Sequence, residues 1–114
     1  MATATWLMRG GEVMAAAEIA DTAMSRMRGL LGRSSYDGAL FLPRTRSVHT
    51  VGMRFAIDVA FIDADMVVAD MVSLQPWRVT RPRWGCRSVL EAELGAFERW
   101  GMQRGDQLEL RRVP

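Results

Sequence analysis

The residues able to do polar chemistry gather in the run Ser47-Val48-His49-Thr50-Val51-Gly52-Met53-Arg54-Phe55-Ala56-Ile57-Asp58, which contains the only histidine of the chain. A carboxylate that accepts from an imidazole fixes its tautomer and raises its basicity, the arrangement of an oriented general base. On that chemistry His49 and Asp58 are the candidate catalytic pair of a small hydrolytic enzyme, provided the side chains come within about 3 Å. The same pair with Thr50, Met53, Arg54 and Trp77 also suits a non-enzymatic pocket, a few polar groups converging between apolar walls. A structural reading competes with both, in which His49 and Thr50 only satisfy backbone groups where two strands meet. The ligand-binding module is the leading reading, ahead of the enzyme. Its ligand is expected to be a small molecule, and an anion is favoured because arginine is the side-chain cation certain at neutral pH.

Other chemistries fare worse. His49, Met53 and Asp58 could offer nitrogen, thioether and oxygen to a metal, and nine methionines suit soft copper. A closed zinc site wants four ligands from cysteine, histidine and carboxylate, and the chain has one histidine and one cysteine. No metal and no cofactor is therefore expected. Cys86 could join His49 and Asp58 in a triad, but no nucleophile signature surrounds it. The loop Trp77-Arg78-Val79-Thr80-Arg81-Pro82-Arg83-Trp84-Gly85-Cys86-Arg87 carries four arginines, two tryptophans and no acid. That composition suits phosphate contacts with base stacking, and Arg44 and Arg46 could extend the patch. A nucleic-acid or protein interaction domain built on this loop ranks below the other readings. Nucleic acid is disfavoured because the net charge is only +2, whereas such domains are usually far more basic.

The elements that must position these groups follow from periodicity. Trp6 to Met8 and Glu12 to Ile19 flank Arg9-Gly10-Gly11, a hairpin with glycines at the turn. Asp21 or Thr22 is a helix N-cap, followed by Met24, Met27, Leu30 and Leu31 on one face and Gly32 as the stop. Ala39 to Leu42 is a short strand stopped by Pro43, and Val48 to Val51 is a candidate for another. Ile57, Val59 and Phe61 alternate with Asp58, Ala60 and Ile62, which turns Asp58 away from the first row. Asp63-Ala64-Asp65 is a tight turn, and Met66 to Val72 returns. Ser88 to Glu93 alternates, with Val89 and Leu90 on opposite faces. Ala96 to Trp100 is a helical turn closed by Gly101, and Gln107 to Arg112 is the last strand. Seven or eight short strands with short connections favour antiparallel pairing. The expected fold is α+β and β-rich: a compact, mostly antiparallel, barrel-like twisted sheet with two short helices.

At 114 residues the chain is expected to be a single domain, residues 1–114, large enough to bury about two-thirds of its unfolded surface. No apolar run approaches the roughly 20 residues of a membrane span. The N-terminus lacks a signal-peptide pattern, so the chain as written is expected in the cytoplasm, or exported if a leader has been removed. A monomer is favoured, although no residue pattern decides the oligomeric state. All fifteen basic residues are arginine, a bias that genomic base composition accounts for and that arginine forks could also exploit against carboxylate or phosphate.

The pieces Arg28-Gly29-Leu30-Leu31-Gly32-Arg33, Ser47-Val48-His49-Thr50 through Met53-Arg54-Phe55, Ile57-Asp58-Val59-Ala60-Phe61-Ile62-Asp63, Val89-Leu90-Glu91 and Gly105-Asp106 resemble the domain of unknown function 192 (DUF192) family. The resemblance runs from about Glu18 to Leu110. It implies a compact β-rich fold with a pocket near the His-Thr, Met and Ile-Asp pieces, and it implies no reaction. Many members look exported. Ala56 stands where a proline is usual, and Thr45 where a cysteine is frequent.

Overall fold

The computed structural model describes residues 4–20 and 37–113. Strands β1 (Ala4–Arg9) and β2 (Glu12–Ile19) form the predicted hairpin. Gly10 and Gly11 both take positive φ, 59° and 83°, the two-residue turn whose twist matches the strands it joins. Strand β3 (Ala39–Pro43) pairs parallel with β2, and every other strand pair is antiparallel. A parallel pair needs a long crossover, and residues 20–38 provide its length. The predicted helix from Asp21 to Gly32 belongs to that stretch and lies outside the described residues.

Strand β4 (Ile57–Ile62) lies between β5 (Val68–Leu74) and β6 (Ser88–Glu93). Helix α1 (Ala96–Arg99) follows β6, and β7 (Glu109–Val113) pairs with β1. The sheet order is β5-β4-β6-β3-β2-β1-β7.

This corrects the barrel expectation. The edges β5 and β7 share no ladder, so the sheet stays open. A single bridge, Val67 to Gln107, with the bonds Leu108 N–H to Met66 O (2.8 Å) and Val68 N–H to Asp106 O (2.9 Å), ties together the segments preceding them. The curl nearly brings the edges together, but these few bonds do not continue into strand pairing. Among the described residues there is one helix. Val48 to Val51 is likewise no strand: it makes one isolated bridge, His49 to Val79.

All six residues of β4 are buried, so the alternation read from sequence separates two apolar faces rather than core from solvent. On one face Ala60 and Ile62 join Leu90, Ala92, Leu7, Leu108 and Phe97. On the other, Ile57, Val59 and Phe61 pack with Leu40, Leu42, Val89, Val48, Met53 and Cys86. Each buried Leu, Ile, Val or Phe contributes about 1.5–3 kcal/mol, which makes β4 a firmly held strand. The two clusters place the candidate site residues on opposite sides of it.

Candidate functional site

Asp58 projects with Ala60 and Ile62 toward α1. Its Oδ2 accepts the backbone N–H groups of Gly95 (3.0 Å) and Phe97 (3.1 Å), and its Oδ1 accepts the Ser73 hydroxyl (3.2 Å) across the β4–β5 pair. The first N–H groups of a helix have no partner within it, and Gly95 at the N-cap has no side chain to supply one. Asp58 supplies it from a neighbouring strand. The carboxylate is 6% exposed, and three donors compensate its burial. A concavity of about 470 Å³ beside it is lined by Asp58, Ser73, Met71, Leu94, Phe97, Glu98 and Met102, with Val72 and Gly95.

His49, Thr50, Met53, Arg54 and Trp77 do not line that concavity. Val48 and Met53 belong to the cluster on the other face of β4, which carries His49 and Thr50 away from Asp58. Among the described residues no hydrogen bond joins His49 to Asp58. The convergence expected of the pair is not built, because neighbouring residues of a strand point to opposite faces and both faces of β4 are covered.

Of the other predicted residues, Thr50 is bonded to Met53 and Trp77 and His49 lies opposite Val79, while no such bond ties Arg54 to them among the described residues. Segment 44–50 lies against segment 77–87 through backbone hydrogen bonds, Thr45 N–H to Arg87 O (3.2 Å), Arg83 N–H to Arg46 O (2.8 Å), Thr80 N–H to Val48 O (2.8 Å) and Thr50 N–H to Arg78 O (2.7 Å). The result is an irregular ribbon over the Ile57–Phe61 face. Thr50 is fully buried at its far end. Its hydroxyl donates to Gln75 O (2.7 Å) and accepts from Arg78 N–H (2.8 Å), while its carbonyl accepts from Met53 N–H and Trp77 N–H. Thr50 is thus a structural hub, and Met53 is core. Trp77, held by that hub, has φ 64°, a left-handed conformation that costs a bulky residue on the order of 1–3 kcal/mol.

The ribbon's outer surface is apolar and basic. Trp77, Val79 and Trp84 are 64%, 70% and 77% exposed, and His49 sits across from Val79. Arg44, Arg46, Arg78, Arg81 and Arg87 are exposed in the same two segments, neither of which carries an acid. Arg83 turns inward instead: its guanidinium lies 4.7 Å from the Phe61 ring centre and pairs with Asp70 (3.4 Å). Arg54 is exposed in the 51–56 connection.

At the ribbon's near end, Arg44, Arg46 and Arg87 line a concavity of about 540 Å³ with Phe41, Pro43, Ala64 and Met66 as its apolar walls. Asp63 and Ser88 also line it. The Asp63 Oδ1 accepts from the N–H groups of Asp65 (2.8 Å) and Val67 (3.0 Å), which fixes it in the turn. Arg46 Nε donates to Cys86 O (3.0 Å). Arg44 (φ 54°) and Met66 (φ 63°) are both left-handed, and with Trp77 they are the strained non-glycine residues of the described chain. Such outliers cluster at functional sites. The spacing of Arg44 and Arg46 marks only an extension of the loop, and nothing in it shows that the 63–66 turn closes a hollow beside them.

Two buried groups complete the inventory. Burial pushes the Cys86 thiol above its ordinary value, with Asp63 adding to the shift, so the thiolate is disfavoured. Glu91 lies on the face of Leu40 and Val59, its neighbours in register, and burial raises its carboxyl to about 7. Among the described residues no donor reaches it. An acid sharing a face with Val89 was visible in the alternation of β6, and it was the signal passed over. No group of three or more histidine, cysteine or acidic side chains among the described residues is placed to hold a metal ion.

The DUF192 family model, described as "Uncharacterized ACR", matches residues 5–110. The chain belongs to the DUF192 family. A UPF0127 protein of Pyrococcus furiosus is 34% identical over 92% of this chain and 95% of its own length. The crystal structure of a protein of unknown function from Novosphingobium aromaticivorans matches with a TM-score of 0.76 at 21% identity, over 93% of this chain and 83% of that one. A Sinorhizobium meliloti crystal structure gives the same TM-score at 24% identity, over 95% and 93%. At these identities the two structures establish that the DUF192 fold is shared. Among the described residues of this member no helix is long and apolar enough to cross a membrane.

Proposed function

We propose that this DUF192 protein is a non-enzymatic module that binds a small anionic ligand between Arg44, Arg46 and Arg87. One observation carries the reading: among the described residues, three guanidinium groups, brought from two hydrogen-bonded segments, surround a hollow with apolar walls and one internally bonded carboxylate. Planar guanidinium forks match carboxylate and phosphate oxygens in pairs. The apolar walls of Phe41, Pro43 and Met66 lower the local dielectric, which strengthens each contact. The anionic ligand expected from the sequence is kept, and its site moves from His49 and Asp58 to the near end of the ribbon. The enzyme reading loses the carboxylate that would orient His49 as its base, since Asp58 is engaged by Ser73, Gly95 and Phe97.

Calorimetric titration with citrate and with inorganic phosphate tests this. Binding of either anion is expected to weaken at least tenfold in Arg87→Ser and in Arg46→Ser, and to fade as salt screens the charges. If neither anion binds at millimolar concentration in low salt, or if the variants bind as well as the parent, the proposal fails.

A further inference from the structure

We infer that the anion held at Arg44, Arg46 and Arg87 is a phosphate of a single-stranded nucleic acid, whose adjoining bases stack on Trp84 and Trp77 along the ribbon. The inference rests on the anion-binding reading above and extends it from a hollow to a track. The hydrogen-bonded pairs run in order from Thr45–Arg87 through Arg46–Arg83 and Val48–Thr80 to Thr50–Arg78. Six positions separate Arg44 from Thr50, a span of at most roughly 20 Å at about 3.3 Å per residue. That length accommodates several nucleotides.

Three features fit that ligand. First, exposed tryptophans cost solvation unless a partner covers them, and a flat indole is a sequence-tolerant platform for an unpaired base. Second, each exposed apolar side chain has a guanidinium next to it in sequence or across the ribbon. Arg78 lies between Trp77 and Val79, Arg81 follows Thr80, and the Arg46 side chain bonds to Cys86 O, two residues past Trp84. Alternating rings and cations suit a polymer that alternates bases and phosphates. Third, Trp77 is held left-handed by the buried Thr50, so the chain keeps a strained backbone that leaves the indole in solvent. A duplex hides its base faces and does not use the rings. The net charge of +2 understates the surface, because both segments are free of acids.

The test uses the intact chain and fluorescein-labelled 15-mers of oligouridylate and oligothymidylate, read by anisotropy at about 50 mM salt. We expect saturable binding of at least one oligomer, and a loss of about tenfold for each of Trp77→Ala and Trp84→Ala. Both variants should retain phosphate or citrate binding, because neither ring lines the hollow. Arg81→Ser should lower the slope of log affinity against log salt by about 0.7. Melting temperatures within a few degrees of the parent would show that these exposed substitutions leave the fold intact.

If citrate and phosphate bind but no oligomer does, this inference is overturned and the anion-binding reading survives. Oligomer binding indifferent to both tryptophan substitutions would overturn it too, leaving only charge attraction. So would binding to phosphatidylglycerol vesicles in place of the oligomers, which would make the ribbon a lipid-surface contact.

Discussion

The two sides of β4 use polar groups in opposite ways. Beneath α1, Asp58 is buried and every contact it makes is internal: two helix-start amides and one hydroxyl. Across the strand, the ribbon buries Thr50 and turns a half-buried Arg83 inward as supports, and leaves five arginines, His49 and two indoles facing solvent. A polar group whose bonds are all satisfied within the fold is evidence of structure. Exposed groups that the fold positions at a cost in strain and solvation are evidence of an encounter with something else. Asp58 and His49 sit close in the sequence, yet they belong to these two different categories.

The sharpest way to break that contrast is Asp58→Ala. It strips the start of α1 of its acceptor and leaves Gly95 N–H, Phe97 N–H and the Ser73 hydroxyl to find water or go unpaired. At about 1–3 kcal/mol for each buried group left unsatisfied, the loss should be on the order of 4 kcal/mol in urea denaturation. Asp58→Asn keeps one acceptor oxygen and should lose about half as much. Citrate affinity should be unchanged in whatever fraction stays folded. If instead Asp58→Asn is as stable as the parent and binds citrate more weakly, the assignment of this residue to structure is wrong.

Glu91 is a buried acid with no partner among the described residues. Its folded-state carboxyl is raised by burial from 4.5 to about 7, so the folded protein holds that proton more tightly than the unfolded chain. The stability that follows is fully present below pH 4.5, declines as pH rises, and is lost beyond pH 7. At about 1.4 kcal/mol per pH unit, the decline approaches about 3.5 kcal/mol. Glu91→Gln has nothing to ionise and should be the more stable protein above pH 7, converging with the parent in mild acid. Parallel stability profiles for the two proteins would remove the buried acid from this account.

Much of the fold was legible because periodicity and turn chemistry agree locally. The Gly10-Gly11 turn, the β4–β5 hairpin and the short α1 each follow from residues within a dozen positions. The barrel did not follow, since closure depends on whether β5 and β7 meet, and no local pattern encodes a contact between residues 67 and 107. The site was half legible. Spacing correctly separated Asp58 from the Ile57 row, but the pairing with His49 ignored that consequence. Thr50 looked like a ligand contact because a hydroxyl in the sequence carries no sign of burial; only coordinates show its bonds to Gln75 and Arg78. Composition marks the basic loop as an interaction surface of low rank, and the partner segment that concentrates its charge, 44–50, is joined to it only by long-range hydrogen bonds.

Smaller effects sharpen the ribbon's side of the contrast. Thr50→Val keeps the shape and removes the hydroxyl, so the bonds to Gln75 O and Arg78 N–H are lost at a cost of about 1–2 kcal/mol. Trp77 should then sample other conformations, read as a shift in tryptophan emission. Emission and stability both equal to the parent would mean that Thr50 supports nothing.

Trp77→Gly should change stability least, and in the other direction. Glycine adopts φ near 64° without the Cβ penalty, which relieves part of the strain, while its greater freedom in the unfolded chain takes back roughly 0.5–1 kcal/mol. Because the indole is largely exposed, little packing is lost. The net result should be a gain of at most about 1 kcal/mol, measured by urea denaturation, together with weaker oligonucleotide binding. A residue whose removal stabilises the protein while impairing it is retained for its encounter, not for its fold. Clear destabilisation by Trp77→Gly would instead make the indole a piece of the ribbon's packing, and the strain at that position would then need a structural reason.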